Sequence, residues 1–333
     1  MNIELSHQDF APILEHIKTS KQKIYATINS SLIELYWNIG QTISQKVQNA
    51  AWGKGVVKEL ATFIAHAEPE LKGFSDKNLW RMKQFYETYG DDEKLSPLVR
   101  ELTWTNNTII FSRCKTSEER EFYLLLATKE RYSKRELDRQ IDASLFERTM
   151  IGNTKLSAVL REIHPNIENT FKDSYVLEFL GLPQKHSEST LQKSLIAQMK
   201  QFILELGGDF IFVGEEYRLQ VGNRDFYIDL LFFHRELSAL VAFELKIGKF
   251  EPEHLGQLNF YLEALDRDVK KPHENPSIGV LICRDKDDEV VEYALSRNIS
   301  PTLVAHYETQ LPDKKLIRAK LHELLYDSSK DEA

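Results

Sequence analysis

The chain has 333 residues, 42% hydrophobic and 28% charged, with a net charge of −8. That length suits two domains with a sizeable core. No apolar run approaches the roughly 18 residues of a membrane span, so no membrane partner is expected. The opening MNIELSHQDFAPILEHIK has no basic stretch leading into an apolar one, so no secretory signal is read there. The two cysteines, Cys114 and Cys283, form no CxxC pair; this argues against a disulfide scaffold or thiolate zinc site and fits a cytoplasmic setting. Residues 1–150 carry 21 Lys/Arg and 21 Asp/Glu, leaving 22 against 30 for the remainder. A generic polyanion binder would be basic, and this chain is acidic in its second half.

The first half reads as helices: near Ser30–Gln48, Lys54–Ala67, Ser75–Tyr89, Thr116–Lys129 and Ser133–Arg148. Ser75, Ser117 and Ser133 are candidate caps, and SKRE at 133–136 fits a capping box. LVRELTWTNNTIIF, Leu98–Phe111, is the least regular piece and reads as a short helix, a turn and a strand-like segment. Around 152–169 the pattern thins, and HPNIEN suggests a connection. A helix over Glu188–Leu206 then stops at Gly207-Gly208. Strands follow at Phe210–Leu219, Phe226–His234 and Ala239–Ile247, then a helix from Pro252 to about Leu265. Ile278–Cys283 is a short buried-type strand, Asp287–Arg297 a helix, Thr302–His306 a strand, and Leu316–Leu325 a closing helix. The expectation is an α+β chain: a helical domain at 1–150, a connecting segment at 151–185, a mixed-sheet domain at 186–327 and a disordered tail at 328–333.

The stretch DFYIDLLFFHRELSALVAFELK, Asp225–Lys246, reads as an apolar hairpin interrupted by Asp229, Glu244 and Lys246. Glu244 and Lys246 are two apart and share a face. A turn at Glu236-Leu237 sets Asp229 opposite Glu244, with Cβ atoms roughly 4.5–5.5 Å apart; a slip of one residue would separate them. Facing carboxylates repel, and burying them unpaired is costly. A divalent cation such as Mg²⁺ or Mn²⁺ reverses that sign, because carboxylates are hard oxygen ligands. The Leu245 carbonyl is a further candidate ligand, and Lys246 stands where it can orient water or meet developing phosphorane charge. The bland alternative is a Lys246–Glu244 pair at a sheet edge. On the next helix Gln257 and Tyr261 lie one turn apart, as phosphate or base contacts or as a solvent-facing Gln and a half-buried Tyr.

These residues resemble the PD-(D/E)XK nuclease superfamily: Ile228-Asp229, then Glu244-Leu245-Lys246, with Gln257 and Tyr261 resembling the QxxxY motif of its RecB-like branch. More narrowly, FVGEEYRL, DFYIDLLFFHREL, FELKIGKFEPEHLGQLNFYLEALD and VVEYAL are similar to the YhcG-type nucleases. So are WNIGQTI, GFSDKNLWRMKQFY, LVRELTWTNN, EREFYLLLA and LDRQIDASLFER in the first half. The resemblance implies a winged-helix-like N-terminal domain that binds DNA or a partner. It also implies a restriction-endonuclease-like (αβββαβ) domain cutting DNA with Mg²⁺ or Mn²⁺, with no nucleotide cofactor. A nuclease that cuts both strands with one site per chain suggests a homodimer; a bacterial DNA-repair or defence role, RNA cleavage and a toxin–antitoxin role are not separated by the sequence. Asp229, Glu244, Lys246, Gln257 and Tyr261 become the expected catalytic set, with Asp229, Glu244, Leu245 and Glu188 as metal ligands. The superfamily's usual helix acid falls near position 192, where this chain has Gln192, so Glu188 and Glu205 are weighed as substitutes. The alternative is a catalytically impaired nuclease fold serving as a DNA- or protein-binding module.

Other candidates have plainer readings beside them. His234 and His254 bracket the hairpin as metal or proton-transfer groups, or as turn and helix-start residues. Lys249 is a phosphate contact or a solvated lysine. Trp52, Trp80 and Trp104 are stacking platforms or helix core. Arg131, Lys134, Arg135 and Arg139 form a phosphate-binding helix face or a solvated mixed-charge one. No phosphate-cradling loop, HExxH or GxSxG is present.

Overall fold

A computed structural model describes residues 7–49, 54–92, 94–165, 167 and 170–328. The chain divides into two compact units between Asp138 and Arg139.

The first unit is built from α1 (His7–Gln48), α2 (Lys54–Ala67), α3 (Asp76–Tyr89), α4 (Leu95–Leu98), α5 (Trp104–Arg113) and α6 (Ser117–Lys129), and α7 (Lys134–Asp142) crosses the division. Caps set several starts. Ser75 Oγ accepts from the Asn78 N–H, and Ser133 and Glu136 form the reciprocal box read from SKRE. At α6 the cap is Thr116, one residue before the expected Ser117. The strand-like end of Leu98–Phe111 is helix α5. Thr103 caps it, and the Asn107 amide donates to the carbonyls of Val99 and Leu102, outweighing the β-branched composition. Helix α1 begins well before Ser30, and Gly40 lets it lie close on α3: a Cβ there would strike the Met82 carbonyl. Every element in this unit is helical among the described residues, so no paired-strand wing accompanies the expected winged-helix likeness.

The second unit holds α8 (Leu145–Ile151), β1 (Lys155–Leu156), α9 (Ala158–Ile163), β2 (Ser174–Val176), α10 (Glu188–Ala197), α11 (Met199–Leu206), β3 (Phe210–Val221), β4 (Arg224–His234) and β5 (Ala239–Lys249). They are followed by α12 (His254–Asp268), β6 (Asn275–Asp285), α13 (Asp288–Ser296), β7 (Thr302–Glu308) and α14 (Lys314–Ser328). The mixed sheet runs β1-β7-β6-β5-β4-β3, with β2 also on β7. β3, β4 and β5 form an antiparallel meander, and β5, β6 and β7 are parallel. One face packs on α10 and α11 through Leu191, Phe202, Phe232 and Phe243; the other packs on α12 and α13 through Leu258, Leu262, Ala242 and Leu281. This is the expected α+β, restriction-endonuclease-like order.

Three expectations change in detail. The helix expected at Ser133–Arg148 breaks at Ser144, whose φ of 51° is left-handed and opens α8. The helix expected at Glu188–Leu206 breaks at Gln198, with φ −114° and ψ 29°. Residues 151–185, expected as a connection, supply β1 and β2 to the sheet, because pairing with β7 orders segments too short to show periodicity. Of the tail expected at 328–333, Ser328 ends α14 and the rest lies outside the described residues.

Candidate active site

The β4–β5 ladder runs from His234↔Ala239 to Leu230↔Phe243, the register that brings Asp229 level with Glu244. There the paired ladder stops. The Leu245 N–H instead donates to Asp229 Oδ2 at 2.8 Å, so the carboxylate takes the place of a backbone acceptor. Alternation places Glu244 and Lys246 on the α12 side with Ala242.

Glu244 is 3% exposed. Its Oε1 accepts from Lys246 Nζ at 2.9 Å, while its buried Oε2 has no hydrogen-bond partner among the described residues. Burial first, and the nearby Asp229 charge second, push Glu244 up to about 7 despite Lys246. Asp229 is also raised, chiefly by burial, against the lowering effect of the Leu245 N–H and Lys246. For Lys246 burial pulls downward, but the Glu244 hydrogen bond and the surrounding acids hold it above the ordinary lysine value. The bland Lys246–Glu244 pair therefore exists, and it satisfies only one of the two Glu244 oxygens.

On α12, Gln257 Nε2 donates to Tyr261 Oη at 2.7 Å. Tyr261 is buried, and burial raises its hydroxyl, with Glu244 and Asp229 adding to that and Gln257 opposing it. These two side chains thus meet each other beside the acids. Gln192, where the helix acid was expected, donates from Nε2 to the Asp229 carbonyl at 3.2 Å and so steadies the strand. Ser187 caps α10, which sets exposed Glu188 on its first turn, where its charge helps raise Asp229 and Glu244. Among the described residues no third His, Cys, Asp or Glu joins the two carboxylates at ligand spacing, so Glu188 does not complete a three-acid set.

Glu216 was not anticipated. It lies on β3 between the pairs Glu215↔Leu230 and Tyr217↔Ile228, and is therefore level with Asp229. Its φ of 41° is left-handed, and its charge contributes to raising Asp229. The available signal was the Gly214-Glu215-Glu216 run, which interrupts strand alternation.

The remaining candidates take structural places. Glu205 is fully buried among Arg139 (2.9 Å), Arg148 (3.4 Å) and Lys172 (3.5 Å), and accepts from the Val176 N–H. Burial works against its charge, yet Lys172, Arg148 and Arg139 together hold it down to about 2. Arg139, weighed as a phosphate contact, is also bonded to Glu178 at 2.8 Å, whereas Arg131, Lys134 and Arg135 are exposed. His234 accepts from the Leu237 N–H in the β4–β5 turn, His254 accepts from the Glu251 N–H at the start of α12, and Lys249 stands 3.9 Å from Asp287. Trp104 packs edge-on against Tyr36 and Phe85, Trp80 carries Lys83 over its ring, and Trp52 lies outside the described residues.

The donor set at Asp229 and Glu244 is of hard oxygens, with one oxygen buried and unsatisfied, and it fits a small divalent cation. Comparison with known proteins gives the family. Residues 168–322 match the YhcG PDDEXK nuclease domain model, and residues 12–148 match the DUF1016 N-terminal domain model. An Escherichia coli (strain K12) protein described as "Putative nuclease YhcG" is 31% identical over 93% of this chain and 92% of its own length. Two solved structures show weaker likeness. A repair endonuclease from Pyrococcus abyssi has 14% identity and a TM-score of 0.26, over 38% of this chain and 50% of that one. An EndoMS–dsDNA complex has 18% identity and a TM-score of 0.23, over 36% and 45%. The chain thus spans about half the length of these two structures or less. With two domain models matching in order and a relative 31% identical over nearly its full length, the chain belongs to the YhcG-type family of PD-(D/E)XK nucleases.

Proposed function

We propose that this protein is a divalent-cation-dependent endonuclease that hydrolyses phosphodiester bonds in DNA, with Mg²⁺ or Mn²⁺ held by Asp229, Glu244 and the Leu245 carbonyl. The observation that carries the reading is the Glu244 Oε2 atom, buried and unpartnered beside Asp229 and Lys246. A bound cation supplies a positive charge that offsets both carboxylates and polarises the scissile phosphate. Glu244 and Asp229 bind; Lys246 orients the attacking water and faces the charge that develops on phosphorus. Tyr261, oriented by Gln257, contacts the phosphate or base alongside. Gln192 fixes the backbone that carries Asp229, and Glu188 adds negative field at the mouth of the site. The helical unit, with Arg131, Lys134 and Arg135 exposed, binds DNA or a partner and selects the target.

Labelled DNA titrated with Mg²⁺ or Mn²⁺ tests this. Cleavage is expected for the native chain and lost in Asp229→Ala and Lys246→Ala; cleavage surviving both substitutions ends the assignment. A second reading, a binding module that has lost catalysis, rests on Gln192 standing where the helix acid was expected. Calorimetry separates the two: no heat of Mg²⁺ binding, with DNA binding intact, favours the module.

A further inference from the structure

Helix α1 is 42 residues long, and only its second half is built into the first unit. Ile33, Tyr36 and Ile43 are buried there, and the Asn29 amide donates to the Leu102 carbonyl at 3.0 Å. Residues 12–19 and 21–28 are exposed on every side. A solitary helix of that length is marginal in water, since most helical stability in proteins comes from packing an apolar face. This stretch has such a face with nothing on it among the described residues. Leu14 (52% exposed), Ile17 (46%), Ile24 (57%), Ile28 (59%) and Leu35 (44%) recur at three- and four-residue steps. Lys21 and Ser31 occupy the two intervening seam positions, and the whole is a heptad repeat.

We propose that this seam pairs with the same seam of a second copy of the chain, in antiparallel orientation. Polar matching supports both the occupant and the direction. With Ile24 set against Ile28 of the second copy, Lys21 falls opposite Ser31 and Ile17 opposite Leu35. A parallel pair would instead stack Lys21 on Lys21 within the seam. Area supports the occupant as well. With Ile13 and Tyr25 flanking the seam, the apolar side chains leave roughly 800 Å² open per chain, which is what a standard two-chain interface of about 1,600 Å² requires. The pairing would deliver one candidate active site per chain to a single particle, and it stands independently of the nuclease reading.

Sedimentation equilibrium of the full chain is expected to give twice the chain mass, and Ile24→Glu/Ile28→Glu is expected to give the single-chain mass. Unchanged near-ultraviolet dichroism would show that the body of the protein remains folded. A monomeric native chain, a higher oligomer, or a dimer indifferent to these substitutions overturns the proposal. Oxidative cross-linking reads the direction, and Cys114 and Cys283 are both buried. Lys21→Cys/Ser31→Cys is expected to form a covalent dimer where Lys21→Cys alone does not; cross-linking by the single variant overturns the antiparallel arrangement.

Discussion

Two buried glutamates in the second unit show opposite uses of the same side chain. Glu205 sits among Arg139, Arg148 and Lys172 and is held down to about 2; Glu244 has one lysine, a neighbouring acid and an unpartnered oxygen, and is pushed up to about 7. Burial acts against ionisation in both. What differs is the sign and number of neighbours. A surplus of cations makes Glu205 a structural tie among α7, α8, α11 and β2, whereas the deficit at Glu244 leaves a carboxyl that favours taking up a proton.

The same substitution should therefore act in opposite directions at the two places. Glu244→Gln is expected to reduce cleavage by about three orders of magnitude, as read in single-turnover assays. The same variant, free of divalent cation at pH 8, should be more stable than the native chain by about 1–3 kcal/mol in urea unfolding. Glu205→Gln should instead lose about 3–5 kcal/mol, because it leaves three cations facing a neutral amide. If the two variants unfold alike, the contrast between the sites fails.

The pH dependences should also run oppositely. Glu244 binds its proton more tightly folded than unfolded, so without cation its effect is to lower stability as pH rises from the ordinary carboxyl range through about 7. Glu205 is depressed, so its contribution is complete above the ordinary carboxyl range and is lost as pH falls toward about 2. Calorimetric Mn²⁺ affinity should accordingly rise with pH up to about 7, by up to about tenfold per unit, and level off above it. The smallest effect belongs to Glu188. Glu188→Gln should lower the Glu244 midpoint slightly in a carboxyl-resolved NMR titration, and salt should erase the difference, because Glu188 is exposed and screened.

The Asp229–Glu244 hairpin was legible in the sequence because two periodic strands and a polar turn define a register, and the ladder adopts that register up to Leu230↔Phe243. What happens next was not legible: the Asp229 carboxylate captures the Leu245 N–H, which depends on local splaying of the strands. Glu216 was hidden for a related reason, since its left-handed backbone and the β3 irregularity break the alternation that sequence reading relies on. The helix breaks at Ser144 and Gln198 carry neither Gly nor Pro, and β1 and β2 exist through their pairing with β7. The Glu205 cluster joins residues 139, 148, 172 and 205, a convergence that no short window contains.

Strand β3 closes the sheet with a long open margin, which in many proteins would invite another strand to add on. Here the register shift between Phe212 and Gly214 and the left-handed Glu216 keep that margin from being straight, and exposed Glu215 and Arg218 line it with charge. The irregularity at Glu216, level with Asp229, therefore also resists sheet-to-sheet aggregation. A Val at position 216 that straightened the strand would cost solubility before it cost fold.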